Sequence, residues 1–285
     1  MSRTRVAKST ARTETPTLGT SPVLVGILNI TPDSFSDGGD FLDPEAAAAR
    51  AATMLDEGAH VIDVGGESTR PGSDPVSPDE EIRRVVPAIE RLVADRPAAV
   101  VSVDTYRAVT AEAALWAGAC IVNDVTALRG DPRMVALVVE AGCPVVLMHM
   151  KDEPKTMQRE PYYEDVVREV RDFLAERAEF AVSAGVKPEN VIVDPGIGFG
   201  KTIEHNLALL RDLEEIAALG FPVLVGASRK RFLGEITGVE KAGDRAFGTV
   251  ATTVLAYERG ANLFRVHDVR ANAEALAVAR SILRT

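Results

Sequence analysis

The chain alternates short runs of β-branched residues with longer stretches whose apolar positions recur at helical spacing. The runs read as strands at residues 23–30, 61–65, 100–104, 120–125, 145–150, 191–194, 223–227 and 263–269. Eight near-continuous apolar strands, separated by amphipathic stretches, predict a parallel sheet buried on both faces. Gly58, Gly118, Gly142, Gly220 and Gly260 each close a helical stretch and precede a strand, the place of a helix C′ residue in the left-handed conformation. Ser77, Pro78 and Glu80 predict a capping box with proline at N1, and Asp43 and Thr202 predict further N-caps. Eight strands and eight helices point to an α/β fold, a single (β/α)8 TIM barrel over residues 21–285. A doubly wound open sheet is the alternative, but no Gly-x-Gly-x-x-Gly follows the first strand.

A barrel of this kind gathers its chemistry at the C-terminal ends of the strands. Those ends carry Asn29, Asp63, Asp104, Asn123 with Asp124, His149, Asp194, the run Ser228-Arg229-Lys230-Arg231, and Arg265 with His267 and Asp268. Two long glycine-bearing loops, 31–39 and 66–72, follow the first two strands and read as binding loops or lids. The cations cluster after strands seven and eight, where barrels commonly hold phosphate. Asp104, Asn123 and Asp194 emerge from apolar strands, and a buried carboxylate must find donors. A flat heterocycle with a ring N–H beside an exocyclic amine offers two parallel donors, and an arginine plane can stack on its face. The expected ligand is therefore a nitrogen heterocycle joined to an anionic leaving group. Residues 196–201 are rich in glycine but lack the full dinucleotide pattern and read as a βα loop.

Composition narrows the classes further. Of 285 residues, 46% are hydrophobic, enough for a sizeable core. Thirty-two basic against 42 acidic side chains give a net charge of −10, which argues against a nucleic-acid partner. No apolar run reaches the roughly 18 residues of a membrane span. Residues 1–20 run the other way, with Arg3, Arg5, Lys8 and Arg12 against Glu14, and read as a disordered basic arm without a secretory signal. Cys120 and Cys143 suit reduced thiols of a cytoplasmic protein. There is no zinc-spaced cluster, nucleophile elbow or Walker loop.

The run Leu28-Asn29-Ile30-Thr31-Pro32-Asp33-Ser34-Phe35-Ser36-Asp37-Gly38-Gly39 resembles the first-loop motif of the dihydropteroate synthases. The resemblance continues in order through Asp63-Val64-Gly65-Gly66-Glu67-Ser68-Thr69-Arg70-Pro71-Gly72, Ser102-Val103-Asp104-Thr105, Asn123-Asp124-Val125, residues 194–201, residues 226–231 and residues 265–269, covering 22–282. It implies a transferase of folate biosynthesis that joins 6-hydroxymethyl-7,8-dihydropterin diphosphate to para-aminobenzoate and releases pyrophosphate.

By the same resemblance Asp104, Asn123, Asp194 and Lys230 would hold the pterin, with Arg265 stacked on it. Asn29, Arg70, Arg265 and His267 would hold the diphosphate, and Asn29 with Asp37 would place a magnesium ion (Mg2+). Thr69, Phe199 and Arg231 would border the aminobenzoate, and Asp104, Asp194, Lys230 and Asp37 would form the catalytic set. A cytoplasmic homodimer is implied as well. Departures are Arg231, where many relatives carry serine, and Lys151-Asp152-Glu153 after the fifth strand. Two rival readings are a pterin-binding methyltransferase, which would need no pyrophosphate cage, and a catalytically silent pterin-binding paralogue, against which the intact Asn29, Asp37, Arg70 and His267 stand.

Overall fold

A computed structural model describes residues 21–31, 43–68, 75–151, 157 and 160–283. Its strands are β1 (Val23–Asn29), β2 (Val61–Gly65), β3 (Val100–Asp104), β4 (Ile121–Asp124), β5 (Val145–Met148), β6 (Val191–Asp194), β7 (Leu224–Val225) and β8 (Leu263–Val266). All pair in parallel, in the order β6-β5-β4-β3-β2-β1-β8-β7. One bridge, Val193 with Val223, joins the two ends and closes the sheet into the expected barrel.

Around it lie α1 (Pro44–Asp56), α2 (Pro78–Asp95), α3 (Ala108–Ala117), α4 (Met134–Ala141), α5 (Val166–Ser183), α6 (Ile203–Arg211), α7 (Glu214–Ala217), α8 (Arg231–Thr237), α9 (Ala246–Glu258) and α10 (Val269–Leu283). Two of these, the short α7 and α8, exceed the eight helices that the sequence periodicity predicts.

Alternate strand residues face opposite sides of the sheet, and this parity decides what the barrel contains. Val23, Val25, Val61, Val100, Ile121, Val146, Ile192, Leu224 and Leu263 pack together as an apolar plug inside it. Their neighbours, such as Leu24, Ile62, Val101, Val122 and Leu147, belong instead to the larger core shared with the helices. Two steps beyond the plug toward the C-terminal mouth, the inward positions turn polar: Asp63, Ser102, Asn123, Asp194 and Arg265. The plug thus forms the dry floor on which a polar layer stands.

Strand seven is shorter than residues 223–227 because the chain leaves the ladder and turns through Arg229, held at φ 58°. Strand eight stops at Val266 rather than Val269. The amide of His267 donates to Ser228 Oγ at 3.1 Å instead of to a ladder partner, and Val269 already opens α10.

All five predicted C′ glycines have positive φ. The caps differ in one respect. Ser77 Oγ accepts from the Glu80 amide at 3.2 Å, but the Glu80 carboxylate turns to Arg84 Nε at 2.7 Å and to Arg83 rather than back to the cap. A complete box occurs at Thr202, where His205 supplies the reciprocal acceptor and both bonds are 3.2 Å. The two cysteines are unpaired, Cys143 buried and Cys120 half-buried, and burial pushes the Cys143 thiol up to about 12. Among the described residues no helix is long and apolar enough to cross a membrane.

Candidate active site

The polar layer is built around Arg265 at the end of β8. Its Nε donates to Asp63 Oδ2 at 2.6 Å and its Nη2 to Asp104 Oδ2 at 2.7 Å, so two carboxylates on β2 and β3 fix the guanidinium by its edges. Held this way, the plane presents a face to whatever lies above. Asn123 Nδ2 donates to the same Asp63 oxygen at 3.0 Å, which turns the amide so that its carbonyl oxygen faces away from Asp63. Asp194 Oδ1 accepts from the Gly196 amide at 2.7 Å. Among the described residues one oxygen each of Asp104, Asn123 and Asp194 is left over, and together they form an acceptor set suited to several N–H donors of one flat molecule.

Burial governs the charges here. It raises Asp104 to about 7 against the opposing pull of Arg265, and it raises Asp194 against the Gly196 amide and Lys230. Burial also lowers Lys230 to about 7, with Asp194 working the other way. Burial works to lower Arg265 too, but Asp63 and Asp104 outweigh it and hold the guanidinium charged. Such opposed shifts in one cleft mark a functional site rather than a surface network.

The opposite wall is the loop between β6 and α6. Gly196, Gly198 and Gly200 all have positive φ. A Cβ on Gly196 would collide with the His149 carbonyl oxygen, and one on Gly198 would stand 2.9 Å from the Lys230 side chain. Only glycine lets this backbone pass so close. The Lys230 ammonium donates to the Ile197 carbonyl and lies 4.3 Å from the centre of the Phe199 ring. Beneath the loop Lys201 is buried, with Nζ 2.9 Å from His149 Nδ1 and donating to the Phe199 carbonyl at 3.0 Å. Burial holds Lys201 well below its ordinary value and lowers His149 to about 2.

Asp104, Asn123, Arg265, Asp194, Lys230 and Phe199 therefore meet around one mouth of the barrel. His267 stands beside them, its Nδ1 2.9 Å from Ser228 Oγ, and Asn29 ends β1 on the same rim. Arg231 does not join them. Its side chain is 85% exposed and pairs with Glu235 one turn along α8, so only its backbone can border the site. Arg229 is likewise occupied by Asp268 at 2.9 Å. Asp124 faces away from the barrel interior and accepts from Thr126 and Leu128, which makes it a turn-holding residue. Asp37, Thr69 and Arg70, with most of both rim loops and the basic arm, lie outside the described residues.

Residues 25–267 match the family of pterin binding enzymes. The chain is 45% identical over 266 residues to a dihydropteroate synthase of Synechocystis, covering 93% of this chain and 92% of that one. It belongs to the dihydropteroate synthase family. Solved dihydropteroate synthases superpose closely. The Xanthomonas albilineans protein with 4-aminobenzoic acid has a TM-score of 0.87 at 48% identity, covering 93% of this chain and 94% of its own. The same protein in complex with 7,8-dihydropteroate gives 0.85 at 46%, covering 93% and 95%.

For this member of the dihydropteroate synthase family, sequence reading misses two roles. Asp63 stands among the strand ends without an assignment, yet it orients both Arg265 and Asn123. Inward parity with Ser102 and Ile27 on the neighbouring strands was the available signal. Lys201 reads as part of a glycine-rich loop, and nothing local distinguishes it from a solvated lysine.

Proposed function

We propose that the chain condenses 6-hydroxymethyl-7,8-dihydropterin diphosphate with para-aminobenzoate to give 7,8-dihydropteroate and pyrophosphate. The observation that carries this reading is the Arg265 guanidinium held edge-on by Asp63 and Asp104 beside three leftover acceptor oxygens. A pterin supplies the matching edge of N–H donors and a face for the guanidinium to stack on. Lys230 would donate to the ring's acceptor side, and Phe199 would wall the aminobenzoate.

In the proposed displacement the bond from the exocyclic methylene to the diphosphate oxygen breaks first. The Asp104 and Asp194 carboxylates stabilise the cation left on the pterin, while Arg265, His267 and Arg70 take the charge growing on the leaving group. The neutral arylamine then forms the new C–N bond and loses a proton, without a dedicated base. Asn29, a hard oxygen donor on the rim, would hold a magnesium ion together with Asp37. Bound there, the ion would neutralise charge on the departing diphosphate. Incubating purified protein with both substrates should yield pyrophosphate and a pterin–aminobenzoate adduct in equal amounts, and chelation of magnesium should suppress both. Pterin binding without either product would leave a silent paralogue.

A homodimer goes with this reading. Phe247 (90% exposed) and Leu255 lie on one stripe of α9, and Val278 and Ile282 on one stripe of the adjoining α10. A second copy would cover this apolar surface. Sedimentation should give twice the chain mass, and Phe247→Glu should shift it toward one. A cytoplasmic location, where unpaired cysteines stay reduced, also fits.

A further inference from the structure

Beneath the glycine loop lies a lysine that the proposed reaction does not use. Lys201 is 4% exposed, and its Nζ meets two acceptors, the Phe199 carbonyl at 3.0 Å and His149 Nδ1 at 2.9 Å. Among the described residues no carboxylate pairs with it. Withdrawing an amine from water under these conditions is a poor route to stability, because an apolar side chain of similar size does as well. Burial holds Lys201 well below its ordinary value and lowers His149 to about 2. The imidazole is therefore neutral, and its Nδ1 is open to accept from the amine. A buried lysine placed between two acceptors is better suited to fixing geometry.

What it fixes is the residue before it in the loop but one. Phe199 stands between Gly198 at φ 83° and Gly200 at φ 63°, residues with the widest backbone freedom, so its place has to come from outside contacts. The loop is bonded at successive positions: the Gly198 amide donates to Asn206 Oδ1 at 2.6 Å, the Phe199 amide to the Gly196 carbonyl at 3.0 Å, and the Tyr163 hydroxyl to the Gly200 carbonyl at 2.9 Å. Lys201 supplies the donor for the Phe199 carbonyl itself. His149, just past the end of β5, is the fixed end of this tie. Its amide donates to the Asp194 carbonyl at 2.9 Å, and its ring packs edge-on against Phe173 with centroids 4.8 Å apart. The amine therefore joins a glycine-flanked carbonyl to a rigid part of the barrel.

We infer that Lys201, braced by His149, is a positioning residue that fixes Phe199 and with it the aminobenzoate side of the mouth. It acts through the loop and not on the reacting atoms. Binding sites need such supporting contacts, because a wall left loose no longer holds its ligand in place. The inference rests on the reading above, in which Phe199 walls the aminobenzoate. The pterin acceptors Asp104, Asn123 and Asp194 are held by Arg265, Asp63 and the Gly196 amide, none of which bonds to Lys201. The two substrates should therefore respond differently to its loss.

Lys201→Met removes the amine and fills its space with an apolar chain. Two hydrogen bonds are lost while a buried polar group is relieved, so the melting temperature of the full-length variant should stay within about 5 °C of the unaltered protein. Its Phe199 amide should exchange hydrogen at least about tenfold faster. KM for para-aminobenzoate should rise by roughly 10- to 100-fold, with kcat and the Kd for 6-hydroxymethylpterin each within about threefold. A second pair of variants tests the same tie without touching Lys201. His149→Asn sets an amide oxygen near the place of Nδ1 and should keep KM within about threefold, whereas His149→Leu offers no acceptor and should behave as Lys201→Met. Unchanged Phe199 exchange in Lys201→Met, or equal KM in the two His149 variants, would overturn the tie. Faster exchange with unaltered KM, or with pterin affinity lost in step, would overturn its positioning role. If the unaltered protein makes no adduct while exchange still rises in Lys201→Met, the family reading fails and Lys201 stands as the anchor of Phe199.

Discussion

Arg265→Ala should lower kcat/KM by about a thousandfold, the sum of a lost stacking contact and lost charge-assisted bonds to the diphosphate, together roughly 3–5 kcal/mol. The same change strips Asp63 and Asp104 of the donor they share. Breaking a buried ion network costs about 3–5 kcal/mol of stability when the remaining charges stay ionised. Asp104 offers an escape, because burial already raises it to about 7 and removal of Arg265 raises it further. A carboxyl whose folded pKa exceeds its unfolded value stabilises the fold only while protonated. Its contribution is complete below 3.8 and is lost as pH rises through about 7. Denaturation curves should therefore show a larger stability deficit for the variant at pH 8 than at pH 5. An equal deficit at both would mean that Asp104 does not depend on Arg265. Arg265→Lys should not restore activity, since one ammonium cannot span both carboxylates and has no plane to stack.

The second large effect is expected at Asp194. In Asp194→Asn the new amide oxygen can still accept from the Gly196 amide, so the glycine loop keeps its anchor. Its NH2 then points at the pterin's own donors. Two charge-assisted hydrogen bonds of about 1.5–3 kcal/mol each are lost, which predicts a rise in the pterin Kd of roughly 10²- to 10⁴-fold with little change in melting temperature. Titration calorimetry with 6-hydroxymethylpterin measures this directly. Binding within threefold of the unaltered protein would remove Asp194 from the site. Loss of binding accompanied by unfolding would instead show that the Gly196 bond is its main role.

Much of the architecture is legible along the chain because it is set by local chemistry. Glycines at helix ends need positive φ, Ser77, Asp43 and Thr202 satisfy orphan amides, and β-branched runs extend. The strand ends therefore already name Asn123, Asp104, Asp194 and Arg265. Legibility fails where a side chain's direction or partner is not local. Asn123 and Asp124 are neighbours on β4 with the same polarity, yet parity sends one into the site and the other out to a turn. Arg229, Lys230 and Arg231 are three consecutive cations, and only the middle one meets the glycine loop.

The amino-acid sequence by itself determined the eight-unit order, the helix ends marked by five glycines and three N-cap residues, the net acidity and the motifs that place the chain in its family. These follow from backbone preferences and residue types that act over a few positions. Only the tertiary structure decided that Asp63 would orient Arg265 across 202 residues, that Arg107 would bind Glu67 to Val76, and that Arg231 would face solvent. Those pairings depend on the register and closure of the barrel, which bring distant strand ends to one mouth, and no short stretch of sequence encodes that closure.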